Sequence, residues 1–331
     1  MLEYKVTADA AHQRLDKFLR KRLATVPLSH LYKMVRTKKV RVNGARADIA
    51  QLLQEGDLVA IRGPEAQLLG PLAKEPRAEA NGRPAEAVSF DFGILYEDDA
   101  ILVCDKPAGL AIHPGSGITG DTLVDQARAY LLRQGAAAVP EGEFKPSPAH
   151  RLDRDTSGAV VVAKTRQAMV RLTEIFTEGS ADKTYLALAK GRFQKDRGTI
   201  ELRLSEHQQT ANSKSQRGVN MQDAVTHWFR LGGGPLATLL EIKIETGRTH
   251  QIRRHLAAIG HPVAGDGKYG DFPFNRDVRA QLGLKRMFLH SSRLALEHPI
   301  TGKHLAWSSP LPRELLEVLP RGKIDWKPAA V

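Results

Sequence analysis

An uninterrupted apolar run rich in β-branched side chains, Ala159-Val160-Val161-Val162-Ala163, follows directly on a stretch that is almost wholly polar. A short run of this composition reads as a strand covered on both faces. The nine residues before it, His150-Arg151-Leu152-Asp153-Arg154-Asp155-Thr156-Ser157-Gly158, hold two carboxylates, two guanidiniums, an imidazole and two hydroxyls, with Leu152 the one apolar side chain. A strand buried on both faces requires a sheet with cover on each side. The polar stretch then becomes a loop delivered onto the edge of a rigid sheet, which is where reactive groups collect. The same composition also suits a solvated turn in which Asp155 and Ser157 bond their own backbone.

The 331 residues suffice for two domains or one large one. No apolar run reaches the length of a membrane span, and Met1-Leu2-Glu3-Tyr4-Lys5 does not open a signal peptide. A single cysteine, Cys104, excludes an intramolecular disulfide framework; beside Ile101-Leu102-Val103 it reads as a small core residue rather than a nucleophile. A cytoplasmic protein is expected. The formal net charge is +12, and residues 14–46 alone hold eleven Lys or Arg against one acid, Asp16, a net +10. Such concentration points to a polyanionic partner, with a merely solubilising surface as the alternative.

Along the chain, Leu15, Phe18, Leu19 and Leu23 recur at helical spacing, and Leu31, Met34 and Val35 share one face of a second helix that Ser29 can cap. Lys33, Arg36, Lys38 and Lys39 are left to point outward. Val40-Arg41-Val42 alternates before Asn43-Gly44, a hairpin-turn signal, and Leu58–Ile61 forms another strand. Residues 63–89, with Pro64, Pro71, Pro76 and Pro84 and no apolar periodicity, read as a flexible linker. Beyond Phe90, strands at Ile101–Val103, Ala159–Ala163, Tyr185–Ala189, Ile200–Leu204 and Leu239–Ile244 are interspersed with helices. One helical face carries Met169, Leu172, Ile175 and Phe176; another carries Ile252, His255, Leu256 and Ile259 and stops at Gly260. Strands outnumber helices without strict alternation, so the fold class is α+β.

The polar loop resembles the catalytic loop of the RluA class of pseudouridine synthases. Four further stretches, in that family's order, resemble its other motifs: Tyr96-Glu97-Asp98-Asp99 with Asp105-Lys106-Pro107-Ala108-Gly109, Lys183-Thr184-Tyr185-Leu186-Ala187-Leu188, Thr246-Gly247-Arg248-Thr249-His250-Gln251-Ile252-Arg253, and Phe288-Leu289-His290-Ser291-Ser292-Arg293-Leu294 with His298-Pro299. Residues 13–62 resemble, by pattern, an S-four-type RNA-binding domain. The resemblance implies three divisions: that small domain at 1–62, the linker at 63–89 and a pseudouridine synthase domain at 90–331. It also implies a long mixed, mainly antiparallel sheet with a central cleft. It makes Asp153 the nucleophile, Tyr185 the active-site tyrosine, Arg253 the counter-charge to Asp153, and Arg151 a base-flipping residue or a phosphate contact. Asp155 falls to a turn role, and His150 to orienting the loop. RNA contacts are expected from Arg14, Lys17, Arg36, Lys38, Lys39 and Arg41.

Isomerising uridine to pseudouridine adds and removes nothing, so no cofactor and no metal is required. A carboxylate can attack carbon 1′ of the ribose or carbon 6 of the base, and a third route passes through a glycal; the residues leave the three open. Within the class, Val26-Pro27-Leu28-Ser29, Gly115-Ser116-Gly117, Asp153-Arg154-Asp155-Thr156-Ser157-Gly158 and Asp266-Gly267-Lys268-Tyr269-Gly270-Asp271 look like the C-type members, which act on large-subunit (23S) ribosomal RNA. The D-type and transfer-RNA members are the alternative, and the segment His207–Val225 matches only loosely. The partner is thus 23S ribosomal RNA, with no membrane and no small-molecule cofactor, and a monomer is expected. A non-catalytic RNA-binding protein would have no need of Asp153, Tyr185 and Arg253 together. A hydrolytic glycosidase would want a second carboxyl as acid. The lone G-x-G-x-x-G spacing at Gly115–Gly120 lacks the strand that a dinucleotide site requires.

Overall fold

The computed structural model describes residues 1–7, 10–11, 13–23, 26–63, 79–80, 83–84, 88–115, 121–136, 144–205 and 221–326. The chain forms two compact units. One comprises Met1–Phe90, Val124–Ser147 and Ala163–Val170; the other comprises Asp91–Leu123, Pro148–Val162 and Arg171–Val331.

In the first unit, strands β1 (Leu2–Lys5), β2 (Val40–Val42), β3 (Ala45–Arg46) and β4 (Leu58–Ile61) form a sheet in the order β1-β4-β2-β3. Asn43 and Gly44 both take positive φ (52° and 76°), as the tight β2–β3 hairpin demands. Helices α1 (Leu15–Arg22) and α2 (Leu28–Arg36) bury Leu15, Phe18, Leu19, Leu31, Met34 and Val35 together with Val40, Val42, Val59 and Ile61. The periodicity read from the sequence therefore places this core, but Ser29 does not cap α2. The helix begins one residue earlier, after Pro27, and no side chain caps it. Proline, with φ fixed near −57°, leads the chain into the helix, and its carbonyl accepts from the amides of His30 and Leu31 at 2.9 and 3.1 Å. Within the stretch expected as a linker, β5 (Glu79–Ala80) and β6 (Arg83–Pro84) pair as a minimal hairpin. Residues 64–78, 81–82 and 85–87 lie outside the described residues. Just after them, the guanidinium of Arg133, in α3 (Leu123–Arg133), donates to the Val88 carbonyl at 2.7 Å and lies over the Phe90 ring.

The second unit is built on one large sheet. Its strands are β7 (Gly93–Glu97), β8 (Ile101–Lys106), β10 (Ser157–Ala163), β11 (Asp182–Lys190), β12 (Arg197–Glu201), β15 (Val225–Gly233), β16 (Ala237–Ile244), β17 (Leu289–Glu297) and β18 (His304–Ser308). The short strands β9 (Ser147–Pro148), β13 (Leu204–Ser205) and β14 (Met221–Gln222) complete the count, the last two pairing with each other. The path runs β12-β15-β16-β11-β17-β10-β8-β7, with β18 added on β17. β10 and β17 run parallel, whereas β7–β8, β11–β16, β11–β17, β12–β15, β15–β16 and β17–β18 are antiparallel. The fold is therefore α+β on a mixed, mainly antiparallel sheet, as expected. Every residue of β10 is buried, which is why its sequence shows no polar alternation.

Helices α4 (Arg166–Glu178), α5 (Gln251–Ala258), α6 (Phe272–Leu282), α7 (Arg313–Leu316) and α8 (Val318–Arg321) complete the elements. Phe274, Val278 and Leu282 of α6 pack with Leu188, Leu239, Phe288, Leu315 and Val318. α5 ends at Ala258, so Ile259, expected on its buried face, is the C-cap residue and is 38% exposed. Among the described residues no helix is long and apolar enough to cross a membrane. Cys104 is buried and desolvation holds its thiol protonated, consistent with a core role.

Candidate active site

The loop 150–158 is fixed from beneath by polar groups that have left water. Lys106, at the end of β8, is fully buried, and its ammonium donates to the carbonyls of Pro107 (2.9 Å), Leu110 (2.8 Å) and Arg154 (2.9 Å). Three acceptors match the three protons of an ammonium. Burial nevertheless pulls the Lys106 pKa down to about 7, against the raising influence of Asp155 and Asp153. The backbone N–H of Gly109 also donates to the Arg154 carbonyl at 2.9 Å. His150 is an orienting residue: its Nε2 accepts from the Val161 amide at 3.1 Å and its ring stacks on Phe176. Burial, then the charge of Lys183, lowers its pKa to about 3, so the ring is neutral. Beyond the loop, Ser157 Oγ lies 3.0 Å from His290 Nδ1 and accepts from Arg286 Nη2 at 3.0 Å. Gly158 then sits opposite Ser291 in the parallel β10–β17 pair, with φ +118°. A Cβ there would lie 2.7 Å from the Ser291 nitrogen and carbonyl carbon, so only glycine lets the two backbones approach this closely.

These supports present Asp153 toward α5. Asp153 Oδ2 accepts from Arg253 Nη1 at 2.8 Å. The other edge of the Arg253 guanidinium is held bidentately by Asp266, with Nε to Oδ2 at 2.7 Å and Nη2 to Oδ1 at 2.8 Å. Asp266 is fully buried, and its Oδ1 also accepts the amides of Lys268 (2.8 Å) and Tyr269 (3.0 Å). Burial alone would raise the Asp266 pKa, but Arg253 and the two amides outweigh it and hold the carboxyl below the ordinary range. Burial likewise works against the charge of Arg253, yet its bonds to Asp266 and Asp153 raise its pKa further, so the guanidinium stays charged. Tyr269 closes the group, its ring centroid 5.1 Å from the guanidinium carbon.

Tyr185 reaches the same place from β11, next to a register shift between Thr184 and Tyr185. Burial, then the Asp153 carboxylate, pushes its phenol well above the usual range, and its hydroxyl bonds with Ser291. It is a neutral phenol at physiological pH. His250 forms the N-cap of α5 in a left-handed conformation (φ 55°). Its Nε2 lies 3.6 Å from Asp153 Oδ1, and its Nδ1 is 3.0 Å from the Tyr269 hydroxyl. Asp153, Tyr185, His250, Arg253, Arg151 and Leu289 are among the residues lining one open pocket. Arg151 is exposed there and makes no hydrogen bond or ion pair among the described residues.

The other arginines of this region have different partners. Arg254 donates to the carbonyl and hydroxyl of Ser205 at 3.1 and 3.0 Å, and Arg248 donates to the Asp223 carbonyl at 3.3 Å. Asp155 is exposed and pairs with Arg154 at 3.1 Å, a surface turn residue. Of the segment His207–Val225, residues 207–220 lie outside the described residues, as does 116–120 of the glycine-rich stretch.

In the N-terminal unit, Lys17, Arg36, Lys38 and Lys39 are exposed. Arg14 is also exposed but pairs with Asp16 at 3.1 Å, and Arg41 donates to the Gly44 carbonyl at 2.9 Å. Arg36 lines a groove together with Tyr32, Lys33 and Arg46.

With this geometry in hand, known proteins place the chain. Residues 100–258 match the family described as RNA pseudouridylate synthase, and residues 13–59 match the S4 domain. A Salmonella typhi protein named ribosomal large subunit pseudouridine synthase C is 38% identical over 323 residues, 95% of each chain. This chain is an RNA pseudouridylate synthase. The synthase is similarly 37% identical to the Escherichia coli K12 protein of the same name, over 95% of this chain and 94% of that one. Among solved structures it resembles human RNA pseudouridylate synthase domain containing 4, at 27% identity and TM-score 0.56, covering 70% of the synthase and 94% of the human chain.

Sequence reasoning brought Asp153, Tyr185, Arg253 and Arg151 to one place but overlooked Asp266 and Lys106. Both stand within quoted motifs, yet nothing in a sequence says that a carboxylate 13 residues beyond an arginine will fold back onto it.

Proposed function

We propose that the synthase converts uridines of large-subunit ribosomal RNA to pseudouridine, with Asp153 as the attacking carboxylate and Arg253 as its counter-charge. The observation that carries this reading is the Asp153–Arg253–Asp266 chain at the wall of an open pocket. A guanidinium fixed on one edge by a buried carboxylate can donate to Asp153 without moving, which holds the carboxylate in place for attack. Tyr185 packs beside the uracil as a neutral phenol. Arg151, exposed on the rim and two residues from Asp153, fills the space left by the flipped base. The groove with Lys33, Arg36 and Arg46, and the exposed Lys17, Lys38 and Lys39, supply phosphate contacts that position the RNA. The choice of large-subunit RNA rests on the names of relatives matched over nearly their whole length. We retain the division into 1–62, 63–89 and 90–331, a cytoplasmic location, a monomeric state and independence from cofactors as parts of the same proposal.

The test is a map of pseudouridines in 23S ribosomal RNA from cells lacking the protein, repeated after restoring wild type or Asp153→Asn. Missing sites that return with wild type only are expected. Return of modification with Asp153→Asn at more than a tenth of the wild-type rate, about 1.4 kcal/mol of barrier, would overturn the nucleophile assignment. Asp155→Asn should behave nearly as wild type.

A further inference from the structure

Pseudouridine formation includes a proton relocation as well as a change of bond. The bond from nitrogen 1 of the uracil to carbon 1′ of the ribose breaks and the base rejoins the sugar through carbon 5, so carbon 5 must shed a hydrogen and nitrogen 1 must gain one. Asp153 is engaged at the sugar or the ring and Arg253 cannot give up its charge, so neither carries this proton. Tyr185 is a weak candidate: its phenol is held protonated and its hydroxyl is engaged with Ser291. His150 and His290 are spent in holding the loop, and His255 turns its Nε2 to the Leu202 carbonyl.

We propose that His250 moves this proton, taking it from carbon 5 of the uracil on Nε2 and returning it to nitrogen 1. The inference rests on the uridine-isomerising reading above. His250 lines the pocket, and its Nε2 stands 3.6 Å from the one oxygen of Asp153 that Arg253 does not hold. Its Nδ1 faces the Tyr269 hydroxyl at 3.0 Å. A phenol can donate to Nδ1 or accept from it, so it supports either tautomer. The anionic Asp153 favours the hydrogen on Nε2. With the Tyr269 hydroxyl accepting from Nδ1–H instead, the hydrogen resides on Nδ1 and the Nε2 lone pair faces the base. The carbon 5–hydrogen bond then breaks toward Nε2, its electron pair restores the ring double bond to carbon 6, and the pair released onto nitrogen 1 takes the proton back from the imidazolium. Nothing is consumed. Burial is the main influence lowering the His250 pKa; Arg253 and Lys268 reinforce it against Asp153 and Asp266, and the neutral, basic ring prevails at pH 7. The left-handed backbone at a non-glycine residue is a costly conformation of the kind retained where a side chain has to be aimed.

The experiment compares wild type, His250→Asn and Tyr269→Phe on large-subunit ribosomal RNA carrying hydrogen or deuterium at carbon 5 of uridine. Asparagine tolerates a left-handed backbone but cannot accept the proton. Turnover of His250→Asn should fall by about 100-fold or more with RNA affinity kept, and its deuterium effect should exceed that of wild type because proton removal becomes limiting. Tyr269→Phe should show the same rise with a smaller loss. A rate within tenfold of wild type, or a loss with no rise in the deuterium effect, refutes the assignment. Should His250→Asn fail to fold, Tyr269→Phe decides on the same criterion. No product with wild type refutes both the substrate reading and the inference; product with wild type and undiminished turnover by His250→Asn refutes the inference alone.

Discussion

Replacing Asp266 by asparagine removes one charge and almost no volume from beneath Arg253. Its effect can be worked out from the contacts. Asp266 Oδ1 accepts from Arg253 Nη2 and from the amides of Lys268 and Tyr269, while Oδ2 accepts from Arg253 Nε alone. The asparagine oxygen will therefore take the Oδ1 position, and its amide group will meet Arg253 Nε–H donor to donor. One charge-assisted bond, worth about 1.5–3 kcal/mol, is lost, and a buried pair is broken, for which about 3–5 kcal/mol in all is typical. Urea unfolding should register a loss of that order at pH 7. The guanidinium then keeps Asp153 and a single bond from Nη2 to residue 266 in place of the bidentate clamp, and misplacement on the ångström scale costs about 100-fold in rate. The assay is single-turnover pseudouridine formation at saturating RNA, with affinity measured separately and expected to hold, since phosphate contacts supply it. The pH dependence has a definite sign. The folded Asp266 carboxyl lies below its ordinary pKa, so its stabilisation is complete above about pH 4 and is lost as pH falls through the folded value. Wild type should lose this increment in acid; Asp266→Asn should not. Destabilisation with an unchanged single-turnover rate would show that Asp266 supports the fold without positioning Arg253, and an unchanged stability would show that its bonds to Arg253 add nothing to the fold.

Gly158→Ala should destabilise the protein by about 4 kcal/mol through a strained positive φ and overlap with Ser291, seen as a lowered urea midpoint together with impaired turnover. Lys33→Gln with Arg36→Gln, in the groove of the N-terminal unit, should weaken RNA binding and reduce the slope of log affinity against log salt by about 1.4 if both reach single-strand phosphates. An unchanged slope would mean that this face does not touch RNA.

How far the sequence could be read depended on whether each feature was local. The helical spacing of Leu31, Met34 and Val35, the Asn43-Gly44 turn and the buried run at 159–163 are short-range patterns, and each appears in the structure where expected. Asp153, Tyr185 and Arg253 were legible through family motifs rather than through chemistry, since a strand tyrosine or a helical arginine carries no mark of its destination. Lys106 and Asp266 escaped because their roles depend on which backbone groups return to them, Arg154 in one case and Tyr269 in the other. The cap of α2 was misjudged for the opposite reason: a favourable local rule yielded to Pro27 two residues earlier.

The position of β17 has a consequence for how the protein is made. Leu289–Glu297 is among the last strands to be synthesised, yet it is inserted between β10 and β11, near the middle of the sheet. While a ribosome is still producing the chain, β10 and β11 each have a bare hydrogen-bonding edge, and Gly158 has no Ser291 to close upon. Pairing of this kind, across more than a hundred residues of intervening chain, is slow, and bare edges invite association with other chains. A nascent synthase therefore cannot acquire its working site until its C-terminal region has emerged. Chains truncated before residue 289 should fail to form the central part of the sheet, and depend on chaperones or degradation rather than persist as partly active enzyme.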